Sequence, residues 1–259
     1  MSVGRRPGFA RALREADRAL VGTWAKIPSL ETVEILALAG FDFIVIDLEH
    51  APLDLPSAYA ATVVAQGLGL QVLVRVPDRS GSHLQRLLDS GVDGILVPRV
   101  ETPEEAAAAA SAMTFSPRGT RGNGSTSRAG AWGGIGLEEY LARGDDALRA
   151  VQIEDLDGLR AAPEILAVPH LTGAFLGMGD LQLSSGMPAG DPVIQAAVDR
   201  LLETAARHRI PVGTAVQTPE QVEAAARRGF AYVMVANDAG ILRGAATSLV
   251  DDIRARLDA

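Results

Sequence analysis

Residues 44–50 read Ile-Val-Ile-Asp-Leu-Glu-His, a β-branched apolar run that ends in Asp47, Glu49 and His50. Runs of this kind make strands buried on both faces, where unpaired charge is costly. Two carboxylates and an imidazole at the carboxyl end of such a strand either cap the next helix or do acid–base chemistry. Two more carboxylates, Glu154 and Asp180, end or follow later apolar runs, and Gln152 stands two positions before the first. An all-oxygen pair with room for waters suits Mg2+ or Mn2+ better than zinc; each could instead pair with an arginine or cap a helix. Lys26 is the only lysine, so a Schiff-base mechanism would have to use it. Cysteine is absent, which removes disulfides, thiolate nucleophiles and Cys-ligated zinc together.

These residues need a frame that brings them together. Strand-like segments at 20–24, 41–47, 71–76, 94–98, 150–154, 173–177, 212–216 and 232–236 alternate with amphipathic stretches at 29–39, 55–66, 82–90, 103–113, 157–167, 192–207, 219–228 and 239–257. Several stretches open on helix-start signals, such as Thr102-Pro103-Glu104-Glu105 and Thr218-Pro219-Glu220. Eight short strands alternating with helices in a chain of 259 residues predict an α/β single domain, a (β/α)8 TIM barrel. Residues 1–19 form an arm and an N-terminal capping helix over 9–19, which closes the bottom, and residues 20–259 form the barrel. A doubly wound open sheet fits less well, because no Gly-x-Gly-x-x-Gly turn follows the first strand.

On a barrel the carboxyl ends of the strands form one rim, where catalytic groups sit. Trp24 and Lys26, then Asp47, Glu49 and His50, then Arg75, Pro98, Arg99, Gln152, Glu154 and Gly177 to Asp180 all fall at such ends. Neighbouring parallel strands lie about 4.8 Å apart, so Glu154 and Asp180 can reach one cation. Gly177 and Gly179 at a helix start would turn backbone N–H groups toward a substrate carboxylate, or serve only a tight turn. Residues 117–136 are the one long irregular segment, read either as a mobile surface loop or as an Arg-bearing lid over the barrel mouth. His83, His170 and His208 fall on helices or bottom-side loops and read as structural.

The net charge of −8 argues against nucleic acid as a partner. No apolar run approaches the roughly 18 residues of a membrane span. Residues 1–10 hold Arg5 and Arg6 without the apolar stretch of a secretory signal, so a cytoplasmic protein is expected.

The motifs Gly22-Thr23-Trp24, Ile46-Asp47-Leu48-Glu49-His50-Ala51-Pro52, Val74-Arg75, Val97-Pro98, Arg118-Gly119-Thr120-Arg121-Gly122, Gln152-Ile153-Glu154 and Gly177-Met178-Gly179-Asp180-Leu181 occur in this order. Over nearly the whole chain the pattern resembles the HpcH/HpaI aldolases, metal-dependent class II pyruvate aldolases such as 4-hydroxy-2-oxoheptanedioate aldolase and the 2-keto-3-deoxy sugar acid aldolases. The resemblance implies reversible cleavage of a 4-hydroxy-2-oxo acid to pyruvate and an aldehyde through a metal-bound pyruvate enolate. By it, Glu154 and Asp180 hold the divalent ion (Mg2+, with Mn2+ or Co2+ as options), and Gln152 supports the ion's waters. Arg75 stabilises the enolate, while His50, oriented by Asp47, moves the proton at the hydroxyl. The amides of Gly177 to Asp180 bind the carboxylate, with Gly179, Trp24 and Arg121 also on the substrate side. It further implies a homo-hexamer, with Asp89 reaching the aldehyde from a neighbouring subunit.

Three places depart from the family pattern: Met178 and Gly179 in the glycine turn, Arg99 where an apolar residue is usual, and Lys26. The added cations Lys26 and Arg99 suggest an anionic or longer acceptor. A citrate-synthase-like condensation with oxaloacetate or a lyase acting on a CoA thioester is the nearest alternative. The CoA branch usually carries Asp-Leu-Glu-Asp at strand two, which His50 contradicts. A non-catalytic barrel that binds an oxo acid is a third reading, supported only by the altered turn.

Overall fold

Side chains along a β-strand point alternately to its two faces, and that alternation decides what this barrel encloses. The computed structural model describes residues 8–258, so the first seven residues of the expected arm lie outside the described residues. In chain order come α1 (Phe9–Glu15), β1 (Leu20–Ala25), α2 (Leu30–Leu38), β2 (Phe43–Asp47), α3 (Leu55–Gly67), β3 (Gln71–Arg75), α4 (Gly81–Asp89), β4 (Gly94–Val97) and α5 (Pro103–Met113). A 3-10 segment over Arg128–Gly133 leads to α6 (Leu137–Asp145), β5 (Leu148–Ile153), α7 (Leu156–Arg160), α8 (Ala162–Leu166) and β6 (Gly173–Leu176). The chain closes with α9 (Met178–Ser185), α10 (Pro192–His208), β7 (Val212–Val216), α11 (Pro219–Arg228), β8 (Tyr232–Asn237) and α12 (Asp238–Leu257).

The strands are parallel and close in sequence order, β1 to β8, into the expected (β/α)8 barrel. Ile44 and Ile46 of β2, Val72 and Val74 of β3 and Ile95 and Val97 of β4 face outward into the layer between strands and helices. The residues between them, Phe43, Val45, Leu73 and Leu96, face the interior with Leu148, Ala150, Phe175, Tyr232 and Met234. Gly213 makes room for the Tyr232 ring, since a Cβ there would stand 2.2 Å from it. From α1, Phe9 enters the lower end fully buried, with its ring 5.0 Å from Phe43 and 5.7 Å from Tyr232. Burying such a ring stabilises the fold by roughly 2 kcal/mol.

Four local differences have plain causes. The helix expected over 9–19 stops at Glu15, and Ala16 turns extended toward β1. The stretch 157–167 is two short helices that break at Ala161, because Pro163 in the first turn of α8 lacks the N–H that a continuous helix needs. α6 is a helix within a stretch given no element, although Leu137, Tyr140 and Leu141, with Glu138 and Glu139 in the first turn, carry a helix signal, whereas α9 begins where a helix start near Asp180 is expected. The fourth is the segment 117–136. It follows α5 and leads into the start of β5, so it lies at the amino ends of the strands and cannot cover its own barrel's mouth.

α12 stands apart from the rest. Of its residues only Asp238 is buried, and Ile241, Leu242, Leu249, Val250, Ile253 and Leu257 are exposed. Among the described residues no helix is long and apolar enough to cross a membrane.

Candidate active site

Alternation carried to the strand ends puts Asp47 above Val45, Arg75 above Leu73, and Gln152 above Ala150, all inside the rim. Asp47 is fully buried. Its Oδ1 accepts Arg75 Nε at 2.9 Å and its Oδ2 accepts Nη2 at 2.7 Å. Lys26 Nζ lies 2.9 Å from the same Oδ2. Burial pushes the Asp47 carboxyl up, but Arg75 and then Lys26 outweigh it and hold the group at about 2. The Arg75 guanidinium lies 4.3 Å over the Trp24 ring, which meets Phe175 edge-on. Trp24 and Asp47 thus fix Arg75 from its face and its edge.

Asp47 reaches His50 only through the backbone. The main-chain N–H groups of Glu49 and His50 both donate to Asp47 Oδ1 at 3.2 Å. The expected pairing of Asp47 with the imidazole is therefore not formed; the carboxylate is spent on two cations. The ring instead faces Glu49, with Nε2 3.7 Å from Oε2. Glu49, given no role by sequence reasoning, is a hub: Arg75 Nη1 is 3.3 Å from Oε2 and Arg99 Nη2 is 3.1 Å from Oε1. Oε2 is buried and makes no hydrogen bond among the described residues.

Further round the rim, after β5, Glu154 Oε1 accepts the Arg99 main-chain N–H at 2.8 Å and Oε2 accepts the Gln152 amide. Burial pushes the Glu154 carboxyl up to about 7; the Gln152 and Arg99 donors oppose it, and the charges of Asp180 and Glu49 add to it. Gln152 Oε1 is buried, with no hydrogen-bond partner among the described residues. A Cβ on Gly177 would stand 2.7 Å from Glu154 Cβ and 2.9 Å from its Oε2, so only glycine lets the turn pass over this pair. Asp180 sits exposed in the first turn of α9. A buried carboxylate with no cation beside it, a second carboxylate and an unpartnered amide oxygen form an all-oxygen donor set that fits a hard divalent ion. Among the described residues no group of three or more His, Asp or Glu gathers for a metal, so waters or substrate would complete the shell.

The amide cradle is narrower than expected. Gly177 donates its N–H to Ile153 O at 2.9 Å, which leaves the first-turn N–H groups of Met178, Gly179 and Asp180. Nothing lies within 4 Å of a Cβ on Gly179.

Asp89 and Arg121 are not in this mouth. Asp89 ends α4 at the opposite end of the barrel, where Arg121 Nη2 donates to its Oδ1 at 2.9 Å. Arg121 is itself buried, stacked 4.2 Å over Phe115. Asp238, missed by sequence reasoning, is buried and accepts the N–H groups of Lys26 and Ile27 at 2.9 and 2.8 Å, pinning the β1 loop that carries Lys26.

The family model for HpcH/HpaI aldolase/citrate lyase matches residues 20–245. The chain belongs to this family. Membership makes it a carbon–carbon lyase. It is 35% identical over 242 residues to 2-dehydro-3,6-dideoxy-6-sulfogluconate aldolase of Pseudomonas putida, covering 91% of this chain and 93% of that one. To 5-keto-4-deoxy-D-glucarate aldolase of Klebsiella pneumoniae subsp. pneumoniae it is 33% identical, covering 95% and 96%. Among solved structures, an HpcH/HpaI aldolase/citrate lyase family protein from Burkholderia cenocepacia J2315 superposes with a TM-score of 0.88 at 29% identity, covering 96% of this chain and all of that one.

Proposed function

We propose that this lyase is a metal-dependent aldolase that reversibly cleaves a 4-hydroxy-2-oxo acid to pyruvate and an aldehyde. The observation that carries the reading is the buried Glu154 carboxylate, paired with no cation among the described residues, on the same rim as the clamped guanidinium of Arg75 two strands away. The aldolase names of the two curated relatives support it.

Glu154 and Asp180 would hold the ion, Mg2+ first with Mn2+ or Co2+ able to substitute, and Gln152 would fix Glu154 and the ion's waters. When bound, the ion supplies positive charge to the carboxylate and keto oxygen of the oxo acid. His50 takes the proton of the 4-hydroxyl as that oxygen becomes the aldehyde carbonyl. The electron pair of the broken C3–C4 bond moves onto the oxo acid, and Arg75 donates its N–H groups where negative charge grows on the keto oxygen. Solvent water supplies the proton that C3 takes up to complete pyruvate, and His50 gives its proton back to solvent. The first-turn amides beside Gly179 receive the substrate carboxylate.

The protein is proposed to work as a homo-oligomer, a hexamer by family pattern, in the cytoplasm, with residues 20–259 as the catalytic barrel and 1–19 as its arm and cap. The exposed apolar residues of α12 support association. In such an assembly the Asp89 carboxylate, held by Arg121, would meet a neighbouring copy's mouth.

The test is proton exchange at the pyruvate methyl, followed by NMR with and without EDTA. Exchange that needs the metal supports the reading. Full activity after chelation, or borohydride trapping through Lys26, would overturn the metal mechanism; preference for oxaloacetate or an acyl-CoA donor would overturn the pyruvate assignment.

A further inference from the structure

Among the described residues four cations stand at the mouth, and three are already committed. Arg75 is buried against Asp47 and Lys26 is paired with the same carboxylate. Arg79 donates to the Arg99 carbonyl at 2.7 Å and pairs with Glu105. Arg99 differs from them. Its side chain is 69% exposed and meets Glu49 through one nitrogen, while Glu49 also faces Arg75. Most of a five-donor planar fork therefore faces solvent.

The backbone of Arg99 is held in an unusual state to keep it there. Its φ is +55°, in the left-handed region that favours glycine. One side of the residue is fixed by its N–H on Glu154 and the other by Arg79 on its carbonyl. Were the turn alone needed, glycine would make it without steric cost. Exposure also gives the site a direction. Side-chain exposure rises from 6% at Arg75 and 6% at Glu49 to 48% at His50 and 69% at Arg99. With the oxo acid at the buried end and the cleaved bond beside His50, the aldehyde half points outward, toward the free guanidinium.

We propose that Arg99 selects the acceptor: its guanidinium holds an oxyanion group (carboxylate, sulfonate or phosphate) at the far end of the aldehyde, so that anionic aldehydes are preferred to neutral ones. This rests on the aldolase reading above and adds the substrate's outer half to it. Arg99 is a binding residue for the acceptor and takes no part in proton transfer.

The experiment measures kcat/KM for condensation of pyruvate, with Mg2+ present, with succinic semialdehyde, glyceraldehyde 3-phosphate, and the neutral butyraldehyde and glyceraldehyde. Wild type, Arg99→Gln and Arg99→Lys are compared. A charge-assisted contact predicts a preference for the anionic acceptors of about 10-fold or more, expressed in KM. That preference falls to near unity in Arg99→Gln and partly survives in Arg99→Lys. Added salt raises KM for the anionic acceptors in wild type, a readout that does not depend on any variant folding. The carboxylate and phosphate arms show which oxyanion fits. An unchanged anionic-to-neutral ratio in the variants, or no preference and no salt effect in wild type, overturns the proposal alone. Absence of metal-dependent pyruvate exchange in wild type overturns the aldolase reading and this proposal with it.

Discussion

Asp47 and Arg75 are register partners on adjoining parallel strands, and the Asp47 carboxylate grips the guanidinium at both Nε and Nη2. The direction of the Arg75 donors is therefore set by sheet register before any substrate arrives. Donors fixed in advance toward developing charge need no reorganisation during the reaction, the condition under which they contribute most.

Replacing Asp47 by Asn should release that grip. Loss of one such oriented donor typically costs about 10²–10³ in rate, and we expect Asp47→Asn to lower kcat by that order with the KM for the oxo acid changed less. The same residue sets an acid limit on stability. Its folded carboxyl lies at about 2, below an ordinary aspartate near 3.8. Its contribution, on the order of 2 kcal/mol, is fully present above about pH 4 and is lost as pH falls toward 2. Urea melts across that window should show the loss in wild type and not in Asp47→Asn; parallel curves would refute the assignment.

Metal dependence should follow Glu154 and Asp180 together. Chelation is expected to abolish activity, and Mg2+, Mn2+ or Co2+ to restore it. Glu154→Gln and Asp180→Asn should each weaken Mn2+ binding by at least about 10-fold, read by calorimetry on the folded protein. Wild-type affinity in either variant would remove that residue from the ligand set.

The two glycines of the β6–α9 turn should respond in opposite ways. Gly177→Ala drives a Cβ into Glu154, at 2.7 Å from its Cβ, and should cost about 1–3 kcal/mol along with metal affinity. Gly179→Ala meets nothing within 4 Å and should leave stability equal or slightly higher through better helix propensity. Thermal melts of the pair give the comparison, and equal losses would contradict the geometry.

His50→Ala should lower carbon–carbon cleavage by about 10²–10⁴, the range for losing a positioned proton carrier. Its ring is nearly half exposed and stands 3.7 Å from Glu49, so unfolding free energy should move by no more than about 0.5 kcal/mol. Activity within threefold of wild type would take His50 out of the proton path.

The frame was legible because each barrel strand is a short apolar run with its own turn, and strand ends fell within a few residues of those read from the sequence. The cluster at Asp47, Glu49 and His50 was legible for the same reason: charge at the end of a buried run is conspicuous. Its internal pairing was not. Asp47 and His50 are near in sequence, which invites a pair, yet the partner of Asp47 is Arg75, placed opposite it by register between β2 and β3. Glu49 and Arg99 both stood out at strand ends, but their contact was not legible, because Arg99 takes a positive φ that residue type does not announce. Arg121, expected on the substrate side, escaped for a similar reason: the direction of α4 carries Asp89 to the far end of the barrel, and Arg121 is held there by its carboxylate.

Phe9 gives the barrel a floor. A vessel sealed below has one doorway, and traffic through it must follow a sequence. On the proposed placement the oxo-acid end would settle first, beneath whatever comes after, and on the way out the aldehyde, nearer the door, would leave before the pyruvate beneath it.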